Sequence, residues 1–299
     1  MYLSTVLFMA LSITAANAKP VSPSRVERRA AEPSTFPLGD ACGNEWKYLN
    51  FDTNNDAHKA HLQKLHDVIC IGELRALSAW GGEAADDSKT AINVAYDVFF
   101  ETEDDTNTKV HDVLMKIAGQ SSSEGMIGTV VGTMVVDNED FGGSTGNSCD
   151  NEGTLAYTVT DEDGDKLEKI HFCDIAYDRP TAGPDIDCGS LDTYPSIKMD
   201  TFSRVVLHET LHYSSVGPPS ELGEQIVDQQ NNDGGAAYDP ERAHGLNDPD
   251  QDNQPGKAES NADNYAWMAL GSWISYLCSP DDEKDTWDSY FPDDPPDYA

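Results

Sequence analysis

The chain has 299 residues, a formal net charge of −35 at pH 7 and six cysteines. So acidic a chain is repelled by phosphate backbones and by anionic lipid surfaces, which sets nucleic acid and membranes aside as partners. The length suits one domain with an ample core, and the even cysteine count reads as three disulfides made in an oxidising compartment.

Residues 1–18 read as a secretory signal. Val6 to Ile13 is mostly apolar, and Ala16-Asn17-Ala18 matches the small-residue cleavage pattern. The apolar run is too short to span a bilayer, so the expected location is extracellular. Residues 19–40 carry Pro and Ser without periodicity and read as a short pro-segment or disordered leader, with Arg28-Arg29 as a dibasic processing site. Residues 41–278 are the expected folded domain. Ser279–Ala299, acidic and with four prolines, reads as a disordered tail.

Within the domain, Ala60, Leu62, Leu65, Ile69, Leu74 and Leu77 recur at helical spacing and predict a helix over 56–80. His58, His61 and His66 lie on it, where exposed histidines are commoner than metal ligands. Residues 88–100 and 108–118 predict two more helices, split by an acidic turn at 101–107. The β-branched run Gly128–Val136 predicts a strand. Leu155–Thr160 and Leu167–Cys173 predict a hairpin across 161–165. Cys149 and Cys173 flank it and are the first pair expected to bond. Residues 179–195 read as irregular. A helix is predicted over 200–214, capped by Asp200 or Thr201 and stopped by Gly217-Pro218-Pro219. Residues 218–258 read mostly as loop, and 259–277 as a last helix. N-terminal helices, a small mixed sheet, one central helix and a closing helix make an α+β fold.

The central helix carries His208-Glu209-Thr210-Leu211-His212. Histidines at i and i+4 stack on one face of a helix, one turn apart. Two neutral imidazoles so placed can hold one Zn²⁺, and Glu209 can take a proton from a water at the ion as general base. Phe202, Val205, Val206 and Leu211 give the segment a buried character, and buried His and Glu need partners. Catalytic zinc keeps three protein ligands and one open position. A third histidine at the metzincin position would be residue 218, which is Pro218, and residue 215 is Ser215 rather than glycine. Glu224 and Glu259 each open an E-x-x-x-D segment, Asp228 and Asp233 sit in the returning loop, and His244 is a further choice. Asp248, Asp250, Asp252 and Glu259 fall at positions 1, 3, 5 and 12 of an EF-hand-like loop, but position 6 is Asn253 and Pro255 lies inside. That stretch reads as a solvated acidic loop.

The HExxH run, the Gly-rich loop leading to Tyr238, and Asn261-Ala262-Asp263-Asn264-Tyr265-Ala266-Trp267 resemble the deuterolysin-type metallopeptidases, or aspzincins, related to the peptidyl-Lys metalloendopeptidases. The resemblance covers about residues 42–278. It implies a zincin-like domain acting on protein or peptide substrates, expected as a monomer. An Asp completes the zinc site, which the Ile226-Val227-Asp228 segment assigns to Asp228. A Tyr, here Tyr238, stabilises the transition state. Asp263 becomes an acidic wall favouring basic substrate residues, without the second acid of strict Lys specificity, because residue 266 is alanine. The chain departs from the pattern at Gly235, where close members have the Asp, and at Asp239, where the family has glycine after the Tyr. Those departures keep two rivals in view: a catalytically impaired zincin acting as a binding or effector protein, and a gluzincin-type enzyme using Glu259.

Overall fold

The structure is a computed structural model and describes residues 47–70, 73–86, 93–102, 104–119, 135–142, 149–160, 168–183, 186–283 and 290–298. All of these fall in one unit of the chain, Glu32–Ala299. The signal, the leader, Cys42, the loop at 161–165 and residues 128–134 of the expected strand lie outside the described residues.

Helix α1 runs Asp56–Ile69, with the Asn55 side chain accepting from the Ala57 and His58 N–H groups, and α2 runs Glu73–Ala84. One continuous helix was the expectation. The apolar spacing passes from Ile69 to Leu74 without registering that Cys70 ends α1 as its C-cap, donating its N–H to His66 O at 2.8 Å. Helix α3 is Asn93–Phe99 and α4 is Asp104–Ala118. The acidic stretch predicted as a turn supplies the first turn of α4. Carboxylates near a helix N-terminus meet the positive end of its dipole, so acidity there favours helix rather than breaking it.

The sheet has strands β1 (Lys47–Leu49), β2 (Val135–Asp137), β3 (Ala156–Val159) and β4 (Lys169–Phe172) in the order β1-β2-β4-β3. β1–β2 and β2–β4 are parallel, and β3–β4 is antiparallel with Thr158 opposite Ile170. The predicted hairpin is present. Strand β1, three residues with one buried side chain, is too short for alternation to show. The short α5 (Asp174–Tyr177) leads to α6 (Phe202–Leu211), then α7 (Asp239–Asn247), α8 (Pro255–Ala258) and α9 (Ala262–Cys278). The fold is mixed α+β with a small mixed sheet, as expected. Helices α7 and α8 replace part of the expected loop at 218–258. Asp239-Pro240-Glu241 looks like turn chemistry, yet a proline in the first helical turn also opens a helix.

The core is built around α2, which packs on α4, α9 and α6. Its approach to α9 is close: a Cβ on Gly81 would lie 2.8 Å from Ala269 Cβ and from Leu114 Cδ1. Leu77, Leu114, Trp267 and Leu270 are fully buried there, and each such side chain contributes roughly 1.5–3 kcal/mol. Cys149–Cys173 is bonded as expected, and Cys188–Cys278 ties the segment before α6 to the end of α9. Cys70 is disulfide-bonded as well. Such bonds suit an extracellular protein, and among the described residues no helix is long and apolar enough to cross a membrane.

The described residues of the expected disordered tail, 279–283 and 290–298, include contacts with the domain. Phe291 is buried, the Asp293 N–H donates to Thr193 O at 3.2 Å, and the Arg242 guanidinium lies 4.8 Å from the Tyr298 ring centre. The acidic, proline-rich composition hid two aromatic anchors.

Candidate metal centre

Helix α6 begins where Thr201 accepts the Arg204 N–H at 3.2 Å, so the expected cap is the one used. Every residue of α6 is buried, and its polar members Ser203, Arg204, His208, Glu209 and Thr210 are each hydrogen-bonded within the protein. It ends at His212, and the next residue, Tyr213, accepts the Val135 N–H through its hydroxyl at 3.2 Å, pinning the helix end to β2. The one-turn spacing brings the His208 and His212 Nε2 atoms to 3.2 Å.

Asp228 comes from a loop held by α9. The Val227 N–H donates to Ser260 O at 2.9 Å, Ala262 N–H donates to Val227 O at 3.0 Å, and Gln229 N–H donates to the Asn261 side chain at 2.9 Å. This places Asp228 Oδ1 3.2 Å from His208 Nε2 and 3.3 Å from His212 Nε2. Three donor atoms thus form a nearly equilateral triangle. A tetrahedral ion with bonds of roughly 2.0–2.1 Å separates its ligands by about 3.3–3.4 Å. The residues present therefore fit a metal ion.

The outer contacts say the same. His212 Nδ1 donates to Ile226 O at 3.1 Å, and His208 Nδ1 donates to the Asp263 carboxylate at 2.7 Å. A cation between the two Nε2 atoms and the Asp228 oxygen, whether a metal ion or the imidazolium protons, satisfies all three atoms. Without a metal ion the nearby carboxylates favour the protons. Burial works against charge on His208, but the Asp263 and Asp228 carboxylates outweigh it and raise the imidazole well above its ordinary range. Burial likewise opposes charge on His212, and Asp228 reverses it. Burial would raise Asp228, yet the two histidines hold it far below the usual carboxylate range.

The loop from α6 to Asp228 turns at Gly217, where an added Cβ would come within 2.2 Å of Glu224 O and 3.2 Å of Ile226 N. Gly217→Ala is therefore expected to displace the segment that holds His212. It should destabilise the fold by about 1–3 kcal/mol, read by thermal melting, and weaken metal retention. An unchanged melt and full retention would show that this loop yields freely.

Glu209 is buried, with its Oε2 accepting the Thr158 hydroxyl of β3 at 2.6 Å. Burial pushes its pKa up, against the pull of His208, His212 and Thr158. Tyr238 is 46% exposed and donates its hydroxyl to Asp228 Oδ2 at 2.9 Å. Partial burial of the phenol and the Asp228 charge raise its pKa, so it remains a proton donor. These groups line a cleft of about 550 Å³ together with Leu155 and the β3 residues Ala156 to Thr158. The residue after Tyr238 has φ +67°, a left-handed conformation that favours glycine. Asp239 adopts it while its carboxylate accepts the Arg242 N–H at 2.9 Å, which offsets part of the strain.

The Asn-Ala-Asp-Asn-Tyr segment opening α9 gathers these parts. Asn261 bonds the Gln229 N–H and, at 3.2 Å, Ala237 O, so one side chain fixes the loops of Asp228 and Tyr238. Asn264 reaches Phe99 O and Ala243 O. Asp263 is 2% exposed, and both its oxygens are engaged: by His208 and Arg204 on one side and the Asp239 N–H on the other. Asp263, expected to face the substrate, lines the cleft and also accepts from His208, Arg204 and the Asp239 N–H.

Other candidates stand elsewhere. Asp233 pairs with Arg242, and Glu259 is held by Lys109 at 2.8 Å and Thr106 at 2.5 Å. The expected rival that used Glu259 as ligand loses that carboxylate to its ion pair. Neither Glu224 nor His244 joins the converging set. In the stretch expected as a solvated acidic loop, Asp248 closes its own turn onto Asp250, while Asp252 is buried and accepts from Asn231 and Asn232. His58 binds the Asp52 N–H, and His61 stacks on Tyr177 at 3.7 Å. Cys149 and Cys173 lie beside His171, but disulfide sulfurs are not thiolate ligands. Sequence reasoning missed Thr158, for which nothing signalled a role, and Arg204, whose charge on a buried helix was itself a signal.

No protein-family model matches the chain, and no curated protein matches it.

Proposed function

We propose that the protein is a secreted zinc endopeptidase of the aspzincin type. The observation that carries this reading is the convergence of His208, His212 and Asp228 beside a buried Glu209 in an open cleft. A bound Zn²⁺ would supply Lewis acidity, polarising a carbonyl and acidifying a water toward pKa 7 or so. Glu209 takes the proton from the attacking water and returns it to the leaving amine. Thr158 keeps the Glu209 carboxylate aimed at the cleft. The Tyr238 hydroxyl turns from Asp228 to the oxygen that gains charge. Among the described residues strand β3 stands at the end of the strand order, and we read its outer edge as offering backbone groups to an extended peptide. The apolar leader with its Ala-x-Ala site, together with the disulfides, supports secretion.

The test is zinc content and casein cleavage measured together on the purified secreted protein, with and without phenanthroline. About one zinc per chain and chelator-sensitive cleavage are expected. Zinc without cleavage would leave a metal-binding effector in place of an enzyme. No zinc would sink the reading.

A further inference from the structure

Arg204 lies one helical turn before His208 on α6, almost wholly buried, in a helix whose every residue is buried. A charge so placed is costly unless it is paired and hydrogen-bonded. Its Nε donates to Asp200 Oδ1 at 2.6 Å, and its Nη1 donates to Asp263 Oδ1 at 2.8 Å. Asp200 Oδ2 is met in turn by Arg179 Nη1 at 2.6 Å. The guanidinium lies 4.6 Å from the Trp267 ring centre, which fixes its plane. The result is a row of alternating charge, Arg179, Asp200, Arg204, Asp263, ending on His208 Nδ1. The far end of the same Asp263 carboxylate takes the Asp239 N–H at 2.9 Å, next to Tyr238.

We propose that Arg204 is a positioning residue of the metal centre: by bridging Asp200 and Asp263 it holds Asp263 where that one carboxylate orients both His208 and the Tyr238 loop. This rests on the reading of His208, His212 and Asp228 as metal ligands. Arginine alone suits the place. Its fork gives separate N–H groups to two carboxylates in one plane, whereas a lysine ammonium is a point charge on a flexible stem. Without the bridge, Asp263 keeps its charge and its helix position but loses the contact that sets the angle of its carboxylate. His208 then loses the partner that directs Nε2 at the other two ligands. Outer partners of this kind, when removed, typically weaken metal binding 10–100-fold.

The experiment is zinc affinity, measured by competition with a chelating indicator, for the full secreted chain and for Arg204→Met, Arg204→Lys, Asp263→Asn and the Arg204→Met/Asp263→Asn double variant. Circular dichroism on each confirms folding. Arg204→Met is expected to weaken zinc binding about 10- to 100-fold. Arg204→Lys is expected to restore only part of it, because the charge returns and the bridge does not. The double variant is expected to bind no more weakly than Asp263→Asn alone, since Arg204 acts through Asp263. Two merely structural losses would add instead. Should Arg204→Met fail to fold, the lysine variant still decides: affinity equal to the natural chain overturns the proposal. So does an additive double variant. A natural chain that binds no zinc overturns the metal reading itself, whereas unchanged variants beside a zinc-binding natural chain overturn only the role of Arg204.

Discussion

Glu209→Gln is expected to keep the metal and lose turnover by about 10²–10⁴-fold, the contribution of a positioned general base. Glutamine preserves the shape of the side chain and can still accept the Thr158 hydroxyl, which donates to Glu209 Oε2 at 2.6 Å. It cannot take a proton from water. Glu209 is absent from the converging ligand set, so zinc content should stay at the natural level. The natural chain adds a second readout under the proposed reading. Burial raises the Glu209 pKa, with His208, His212 and Thr158 pulling it back. Protonation disables the base, so kcat/KM should fall as pH drops through that raised value, on the acid side of the profile. Thr158→Val removes one of the groups that hold the pKa down, and the acid limb should move to higher pH. A Gln variant within tenfold of natural activity would remove Glu209 as the base. Loss of zinc along with activity would instead assign it to the ligands.

What could be read in the sequence was local. His208 and His212 are four residues apart, and the helix repeat alone puts them on one face. Thr201 was legible as a cap because its side chain bonds three residues ahead. The β3–β4 hairpin and its Cys149–Cys173 bond connect close neighbours in the chain. The third ligand was of another kind. Asp228, Asp233, Glu224, Glu259 and His244 were alternatives by residue type, and spacing along a loop cannot choose among them. The choice is made by Val227 pairing with Asn261 across the start of α9. The same limit explains Asp263. An acid in the first turn of a helix was visible, but whether it faced solvent, substrate or a histidine depended on α6 lying against α9. The segment at 239–247 reads as loop when Asp, Pro and Gly are counted as breakers. Its helix depends on Asp239 accepting φ +67° and capping Arg242.

Asp228→Ala is expected to release the metal, with affinity falling by more than the roughly 100-fold typical of an outer partner. The carboxylate supplies one of three converging atoms and the only negative charge among them. Without it, two imidazoles one turn apart remain, too few for the three protein ligands of a catalytic zinc site. The fold should tolerate the change. The Asp228 side chain is about a third exposed, and the strand-like contacts that hold its loop run through backbone atoms of Val227, Ser260 and Ala262. The controls are the carboxylates that spacing left open. Asp233→Ala breaks an exposed pair with Arg242, worth about 0–1 kcal/mol, and should leave zinc in place. Glu259→Gln disturbs the contacts to Lys109 and Thr106 and should leave zinc in place as well. Asp228→Asn separates geometry from charge, since an amide oxygen can occupy the same point without the negative charge; it should bind zinc more tightly than alanine and less tightly than aspartate. Metal analysis decides between these outcomes. Full occupancy in Asp228→Ala, or an emptied site in Asp233→Ala or Glu259→Gln, would move the third ligand away from Asp228 and dissolve the triangle on which the proposed chemistry stands.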